Sequence, residues 1–253
     1  MAERDLTHGA LAGHLRKMAV PAALGMVFTT LYNVVDTYYA GWISTEAQAG
    51  LSVSFSAFMM MMAVGIGLNM GAGALIGGAL GEKNPDKARA LSAGAIGAAA
   101  LLALVLMIAG ILWGDGLLHL MRVGDEVFAT ASSYLGVMFF GLPAFMVGFT
   151  ANGVLTAQGD TDTNKQAQMV ACLVNIGLNP LLMFGASGLP GLGFHGIAVS
   201  TILIQCGVAV WLVTRALKTT AMQDVTLSQF LPGFSLTVEL IKQSAPASLN
   251  MMV

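Results

Sequence analysis

Asp36 is the one acidic side chain, of thirteen in the chain, that falls well inside a long apolar stretch; the others lie in loops, tails or near the ends of such stretches. A charged carboxylate in a bilayer interior is costly, so an acid placed there is a functional candidate by default. The competing reading is structural. Asp36 stands a turn or so from the outer end of its stretch and could reach interfacial water. Tyr32, one turn earlier, and the near neighbours Asn33 and Thr37 supply polar groups that could hydrogen-bond the carboxylate.

A second polar group lies on a later stretch. Asn175 and Asn179 are four residues apart and share one face of a helix, and Pro180 follows directly. Proline donates no backbone N–H, so it frees a carbonyl near Asn175 and Ile176. Amide oxygens and freed carbonyls are ligands for hard cations. They equally join helices by hydrogen bonds, and both readings stand. Asn152 and Thr201 are similar polar intrusions on two further stretches. Pro21 and Pro143 lie inside apolar stretches, where each permits a bend; the bend is either a gate for a cavity or a static kink. Four consecutive methionines, Met59–Met62, would line an adaptable cavity or face lipid and core. Gly67/Gly71 and Gly73/Gly77 have the four-residue spacing of close helix packing.

The elements that position these residues follow from composition. Of 253 residues, 56% are hydrophobic and 9% charged, against about 25% charged in a soluble domain. So few charges cannot clothe a folded chain of this size for water, and lipid must cover much of it. The net charge of −2 points away from nucleic acid. Cys172 and Cys206 both sit in apolar runs and make neither a disulfide framework nor a metal site. No cleavable signal sequence is visible, so the first span targets the chain. There is no Walker sequence and no nucleophile–base set, so an enzyme is not expected.

Crossing about 30 Å of hydrocarbon takes roughly 20 apolar residues. Six stretches qualify: Met18–Ala40, Ala47–Leu80, Leu91–Trp113, Val127–Leu155, Gln166–Gly185 and Phe194–Val213. They lack the alternation of barrel strands, and a backbone in lipid must satisfy its own hydrogen bonds, so helices are expected. The predicted fold is an all-α membrane protein: a six-helix bundle over residues 1–215, a cytoplasmic linker over 216–239, and the start of a seventh helix over 240–253. The linker holds Leu227, Phe230, Leu231 and Phe234 and would lie along the membrane interface. Asn84-Pro85-Asp86 starts the third helix as cap, first-turn proline and first-turn acid. Gly159-Asp160-Thr161 breaks the chain between the fourth and fifth spans. Ten of the eleven basic residues fall on one side, from Arg4, Arg16 and Lys17 through Lys83, Lys87, Arg89 and Lys165 to Arg215, Lys218 and Lys242. Arg122 alone falls on the other. That asymmetry places the N-terminus in the cytoplasm.

The chain's last residues repeat its first span at an offset of 225, with Lys17, Pro21, Ala22, Leu24 and Met26 matching Lys242, Pro246, Ala247, Leu249 and Met251. Six spans between the copies give them the same orientation. The expectation is a parallel-repeat transporter of roughly 450 residues of which this chain is the first lobe.

Four segments together resemble the multidrug and toxic compound extrusion family: Leu31–Gly41 with Pro21 fifteen residues before Asp36, Gly81–Arg89, Ala157–Thr161, and Asn175–Leu182. The resemblance covers essentially the whole chain. It implies a twelve-helix fold in two lobes that exports cationic and amphipathic compounds in exchange for sodium ions or protons, from the plasma (inner) membrane, with no cofactor. The partners it implies are small-molecule substrates, the lipid bilayer, and a C-terminal lobe of the same chain or a second copy. It places Asp36, Asn152, Asn175, Asn179 and Thr201 at a cation site and Pro21 at a gating bend. Two departures stand out. Some members carry a second aspartate where this chain has Asn179, which leaves sodium and proton coupling both open, and Thr156 replaces an arginine common just before the glycine turn. A flippase for a lipid-linked saccharide is the alternative, although such a protein needs basic residues inside its spans and none occurs here. A half-length subunit that dimerises is another.

Overall fold

A computed structural model describes residues 11–186, 189–231 and 233–252. Residues 1–10, with Arg4 of the basic side, lie outside the described residues. Eight helices follow in order: α1 (Leu11–Ile43), α2 (Thr45–Gly81), α3 (Pro85–Leu120), α4 (Asp125–Phe139), α5 (Leu142–Ala157), α6 (Asp162–Phe184), α7 (His195–Ala216) and α8 (Phe234–Met252). A two-residue antiparallel pairing of Gly185–Ala186 with Leu189–Pro190 closes the α6–α7 hairpin. The architecture is an all-helical membrane bundle.

Five helices, α1, α2, α3, α6 and α7, are each long and apolar enough to cross a bilayer. The remaining expected span, the fourth, Val127–Leu155, is α4 and α5 bent by 55° across a short break. Pro143, in the first turn of α5, explains the break. It has no N–H for the helical bond to Phe139 and closes off continuation of α4. Phe140 and Gly141 turn back onto the Val137 and Met138 carbonyls instead. The 37 residues of α2 span about 55 Å at about 1.5 Å per residue, well beyond the hydrocarbon layer.

Three of the turns between helices share one device. Lys83, Arg122 and Gly159 each take positive φ, at 55°, 54° and 78°. The next residue's N–H returns to the helix: Asn84 to Ala79, Val123 to Leu118, Asp160 to Leu155. This is the left-handed closure of a helix C-terminus. Asn84 then accepts from the Lys87 N–H at 3.1 Å and starts α3, with Pro85 in its first turn.

Small residues set the helix spacing. Gly110 and Gly114 on α3 make the notch that receives Phe139 of α4, whose ring is buried; a Cβ at either glycine would stand 2.6 Å from that ring. Gly50 of α2 receives Thr130, and Ser54 bonds the Ala131 carbonyl at 2.9 Å, so α2 and α4 meet closely. Gly67 and Gly71 face Ser244 and Ser248 of α8. Gly73 faces the Gly153 carbonyl, but Gly77 meets nothing, so the second glycine pair is only half used. α2 and α5 are central, packing on several neighbours, while α1 lies at the edge and is held chiefly by α6.

The segment after α7 packs along one end of the bundle. Thr220–Met222 and Leu227–Phe230 form short 3-10 turns. Ala221 and Met222 are buried, and Phe230 packs into the bundle against α3. Leu227 and Leu231 stay exposed. Arg89 donates to the Gln223 carbonyl at 2.7 Å and Gln158 to Thr219 at 3.1 Å, so the α2–α3 turn, the α5–α6 turn and this segment meet at one end. α8 begins at Phe234, ahead of the expected start at 240, because residues 234–240 still have Leu236 and Leu240 to bury. Pro246 lies inside α8 as Pro21 lies inside α1.

Gly110→Leu should drive a side chain into Phe139 and destabilise the fold by about 1–3 kcal/mol, the cost of overpacking. Gly116→Leu, on the same helix at an exposed glycine with nothing within 4 Å, should not. Size-exclusion after graded heating measures both; equal midpoints would show that the Phe139 notch contributes nothing.

Candidate cation site

The face of α1 that meets its neighbours is Gly25, Tyr32, Asp36 and Ala40, all buried. Gly25 lets α1 approach the start of α6, where the Lys165 Cα would lie 3.6 Å from an added Cβ. Asp36 is thereby sunk to 6% exposure, two turns before the end of α1 at Ile43.

Four polar groups gather around it. One carboxylate oxygen accepts from Asn175 Nδ2 at 2.9 Å and from Asn179 Nδ2 at 2.7 Å. The other accepts from Thr201 Oγ1 at 3.2 Å. Tyr32 Oη in turn donates to Thr201 Oγ1 at 3.0 Å. Asn175 and Asn179 are fully buried, and Thr201 nearly so. The donors come from α6 and α7, the acceptor from α1. An ionised carboxylate only accepts, and this set answers it with amide and hydroxyl hydrogens. Asn179 can turn its amide this way because Ser200 Oγ donates to its Oδ1. Ser200 was not among the residues singled out from sequence. Its signal is adjacency to Thr201 in a mostly apolar helix.

Several expected partners stand elsewhere. Tyr32 reaches the carboxylate only through Thr201. Thr37 donates to the Asn33 carbonyl of its own helix at 2.9 Å, so it does not serve Asp36. Asn33 lines the adjoining cavity and makes no bond to the carboxylate. The reason is angular: positions three before and one after Asp36 project away from the α6–α7 side. The carbonyl freed by Pro180 is that of Ile176, and it is not an open cation ligand, because Tyr39 Oη donates to it at 2.9 Å. Asn152 makes no hydrogen bond to Asp36. Its Oδ1 is buried without a partner, as is Asn175 Oδ1. Pro21 is fifteen residues from Asp36, about 22 Å along the axis, and outside the cavity lining.

Asp36 opens on a cavity of about 460 Å³. Its walls divide by chemistry. α1, α6 and α7 contribute hydroxyls and amides, including Thr29, Gln168 and Gln205. The opposite wall is aromatic and sulfur-rich, with Phe55, Met59, Met62, Tyr134 and Phe149. The methionine run divides accordingly: Met59 and Met62 line the cavity, while Met60 is exposed and Met61 packs in the core. Asp36 is the one charged side chain among the described residues that line it. The space therefore sets a carboxylate and neutral polar groups on one wall against an apolar, adaptable wall on the other.

The comparisons with known proteins agree with this architecture. Residues 21–181 match the MatE family. Among curated relatives, the probable multidrug resistance protein YoeA of Bacillus subtilis is 29% identical over 238 residues, which is 92% of this chain and 51% of that protein. The multidrug export protein MepA of Staphylococcus aureus is 23% identical over 232 residues, 91% of this chain and 51% of its own length. A solved multidrug resistance MATE family transporter of the MOP superfamily, in an outward-facing conformation, superposes with a TM-score of 0.85 at 24% identity, covering 96% of this chain and 53% of that one. A MOP superfamily transporter from Pyrococcus furiosus, described as having a binding pocket of reverse polarity, also gives 0.85 at 23% identity, with the same coverage. The chain thus spans about half the length of the relatives it matches. On the match across residues 21–181, this multi-pass membrane protein belongs to the MatE family, that of the multidrug and toxic compound extrusion transporters.

Proposed function

We propose that this chain is the N-terminal lobe of a cation-coupled exporter of cationic or amphipathic compounds, with Asp36 as its coupling carboxylate. Residues 1–215 form the lobe and 216–239 the connection to the next repeat, which starts by 240. The working partner is a C-terminal lobe of the same protein or a second copy of this chain. The observation that carries the proposal is the burial of Asp36, at 6% exposure, beside a cavity in which it is the one charged lining residue among those described.

The coupling ion is sodium or a proton, and the donor set accommodates either. Sodium would neutralise Asp36 and could take the Asn175 and Asn179 amide oxygens and the Thr201 hydroxyl. The orphaned oxygen of Asn175, whose amide nitrogen already bonds Asp36, favours such a ligand, since a buried acceptor without a donor is costly. A proton needs only Asp36 and one acceptor. Either ion drives transport only by binding more tightly in one conformation than in the other. Pro21 is the proposed bend in α1. The cationic substrate competes for the same carboxylate, and the aromatic and methionine wall accepts its apolar part.

Asp36→Asn changes size hardly at all and removes the charge. In proteoliposomes holding the chain with its second lobe, ion-driven export should fall to the level of protein-free vesicles, while elution profile and thermal midpoint stay near the parent's. Parental export by the variant under the same gradient would sink the proposal. Separate sodium and proton gradients identify the ion, and export by this chain alone as a dimer assigns a second copy as the partner.

The ten-to-one distribution of basic residues supports a plasma-membrane orientation with the N-terminus and the basic turns on the cytoplasmic side. With Cys172 and Cys206 replaced by serine, Asn84→Cys should react with an impermeant maleimide only from inside, and Arg122→Cys only from outside. The reverse pattern would invert the orientation.

A further inference from the structure

Pro180 leaves the Ile176 carbonyl without its helical donor, and a carbonyl left unpaired at membrane depth is expensive. The donor that replaces the missing N–H comes from another helix. Tyr39 Oη of α1 reaches the Ile176 oxygen at 2.9 Å. Ile176 lies in the turn of α6 that carries Asn175 and Asn179, the two amides that bond Asp36. Tyr39 is three residues beyond Asp36 on α1. Hence α1 grips α6 at two adjacent heights, once through the carboxylate and once through the phenol. The Tyr39 ring is itself held: it meets Trp42 edge-on at 5.5 Å and Tyr38 at 5.6 Å, and Trp42 reaches Phe184 at the end of α6 at 6.2 Å.

We propose that Tyr39 is a positioning residue of the cation site. Its hydroxyl stands in for the N–H lost at Pro180, fixes the Asn175–Asn179 turn against Asp36, and keeps the Ile176 carbonyl out of the ligand set. This rests on the cation-coupling reading of Asp36. It has a consequence that ring packing alone does not. The hydroxyl matters because residue 180 is proline. With Pro180→Ala, the restored N–H can bond Ile176 directly and the phenol becomes dispensable.

The test is a double-mutant cycle on the purified protein. Binding is followed by titrating radioactive sodium at fixed pH and by measuring proton uptake at fixed sodium, using whichever ion binds. Tyr39→Phe keeps the ring and removes the donor; it should raise the half-saturating ion concentration about fivefold, the scale of one lost hydrogen bond, with the number of sites unchanged. In the Pro180→Ala background the same Tyr39→Phe change should have little effect. Asp36→Asn should abolish binding in every background. An equal shift in both backgrounds assigns Tyr39 to packing and overturns the inference. So does parental affinity in Tyr39→Phe while Asp36→Asn still abolishes binding. Binding that survives Asp36→Asn, or its absence from the parent protein, defeats the cation-coupling reading itself and the role of Tyr39 with it.

Discussion

A carboxylate cannot be buried among helices in lipid unless its neighbours answer it, and Asp36 sets that condition for the rest of this lobe. Its two oxygens need donors, and the threonine hydroxyls of α1 fold back on that helix's own carbonyls, as Thr37 does on Asn33. The donors come from α6 and α7, so three helices must converge at one level of the bundle. Helices of this apolarity gain little by leaving lipid for one another. Their convergence therefore rests on polar bonds at the site and on small residues that bring the backbones close, such as Gly25 beside Lys165.

The rest of the packing is arranged to leave the cavity open on the other side of Asp36. α2 approaches α4 at Gly50 and α8 at Gly67 and Gly71, and α3 seats Phe139 between two glycines. The bend at Pro143 separates α4 from α5, and residues of both, Tyr134 and Phe149, line the cavity.

How much of this was legible depends on the range of the interaction. Spans and the α3 cap follow from local chemistry, and the structure differs there mainly in helix ends. Asp36, Asn175, Asn179 and Thr201 stand out as polar residues in apolar surroundings, and polar groups in such surroundings must find one another, so their meeting could be expected. What could not be read was pairing decided by angle. Asn33 and Thr37 are as close to Asp36 in sequence as Tyr32, yet none of the three bonds it directly. Pro180 announces a freed carbonyl, but nothing local says that Tyr39, on a helix far away in sequence, will claim it. The turns at Lys83 and Arg122 take the left-handed conformation without the glycine that marks the same turn at Gly159. The packing of Phe230 against α3 depends on Gly97, whose side-chain-free surface the segment's backbone touches, and no local pattern announces that contact.

The arrangement couples the chemistry of one carboxylate to the placement of a whole helix. α1 is the least enclosed of the spans, with Leu24, Val27, Leu31 and Val34 exposed along its outer side. Among the described residues its polar bonds to α6 and α7 are few: the buried ones of Asp36 and Tyr32, and the exposed one from Tyr39 to the Ile176 carbonyl. Any cation that takes Asp36 must displace or share the amide and hydroxyl donors now bonded to it, since a carboxylate oxygen has few acceptor positions. Occupying the site therefore rewrites the bonds that fasten α1. The Tyr39–Ile176 bond involves neither Asp36 oxygen, yet it holds the turn of α6 that carries Asn175 and Asn179. Coupling between two contacts is reciprocal, so whatever moves that turn at the carboxylate bears on both attachments of α1 to the same partner.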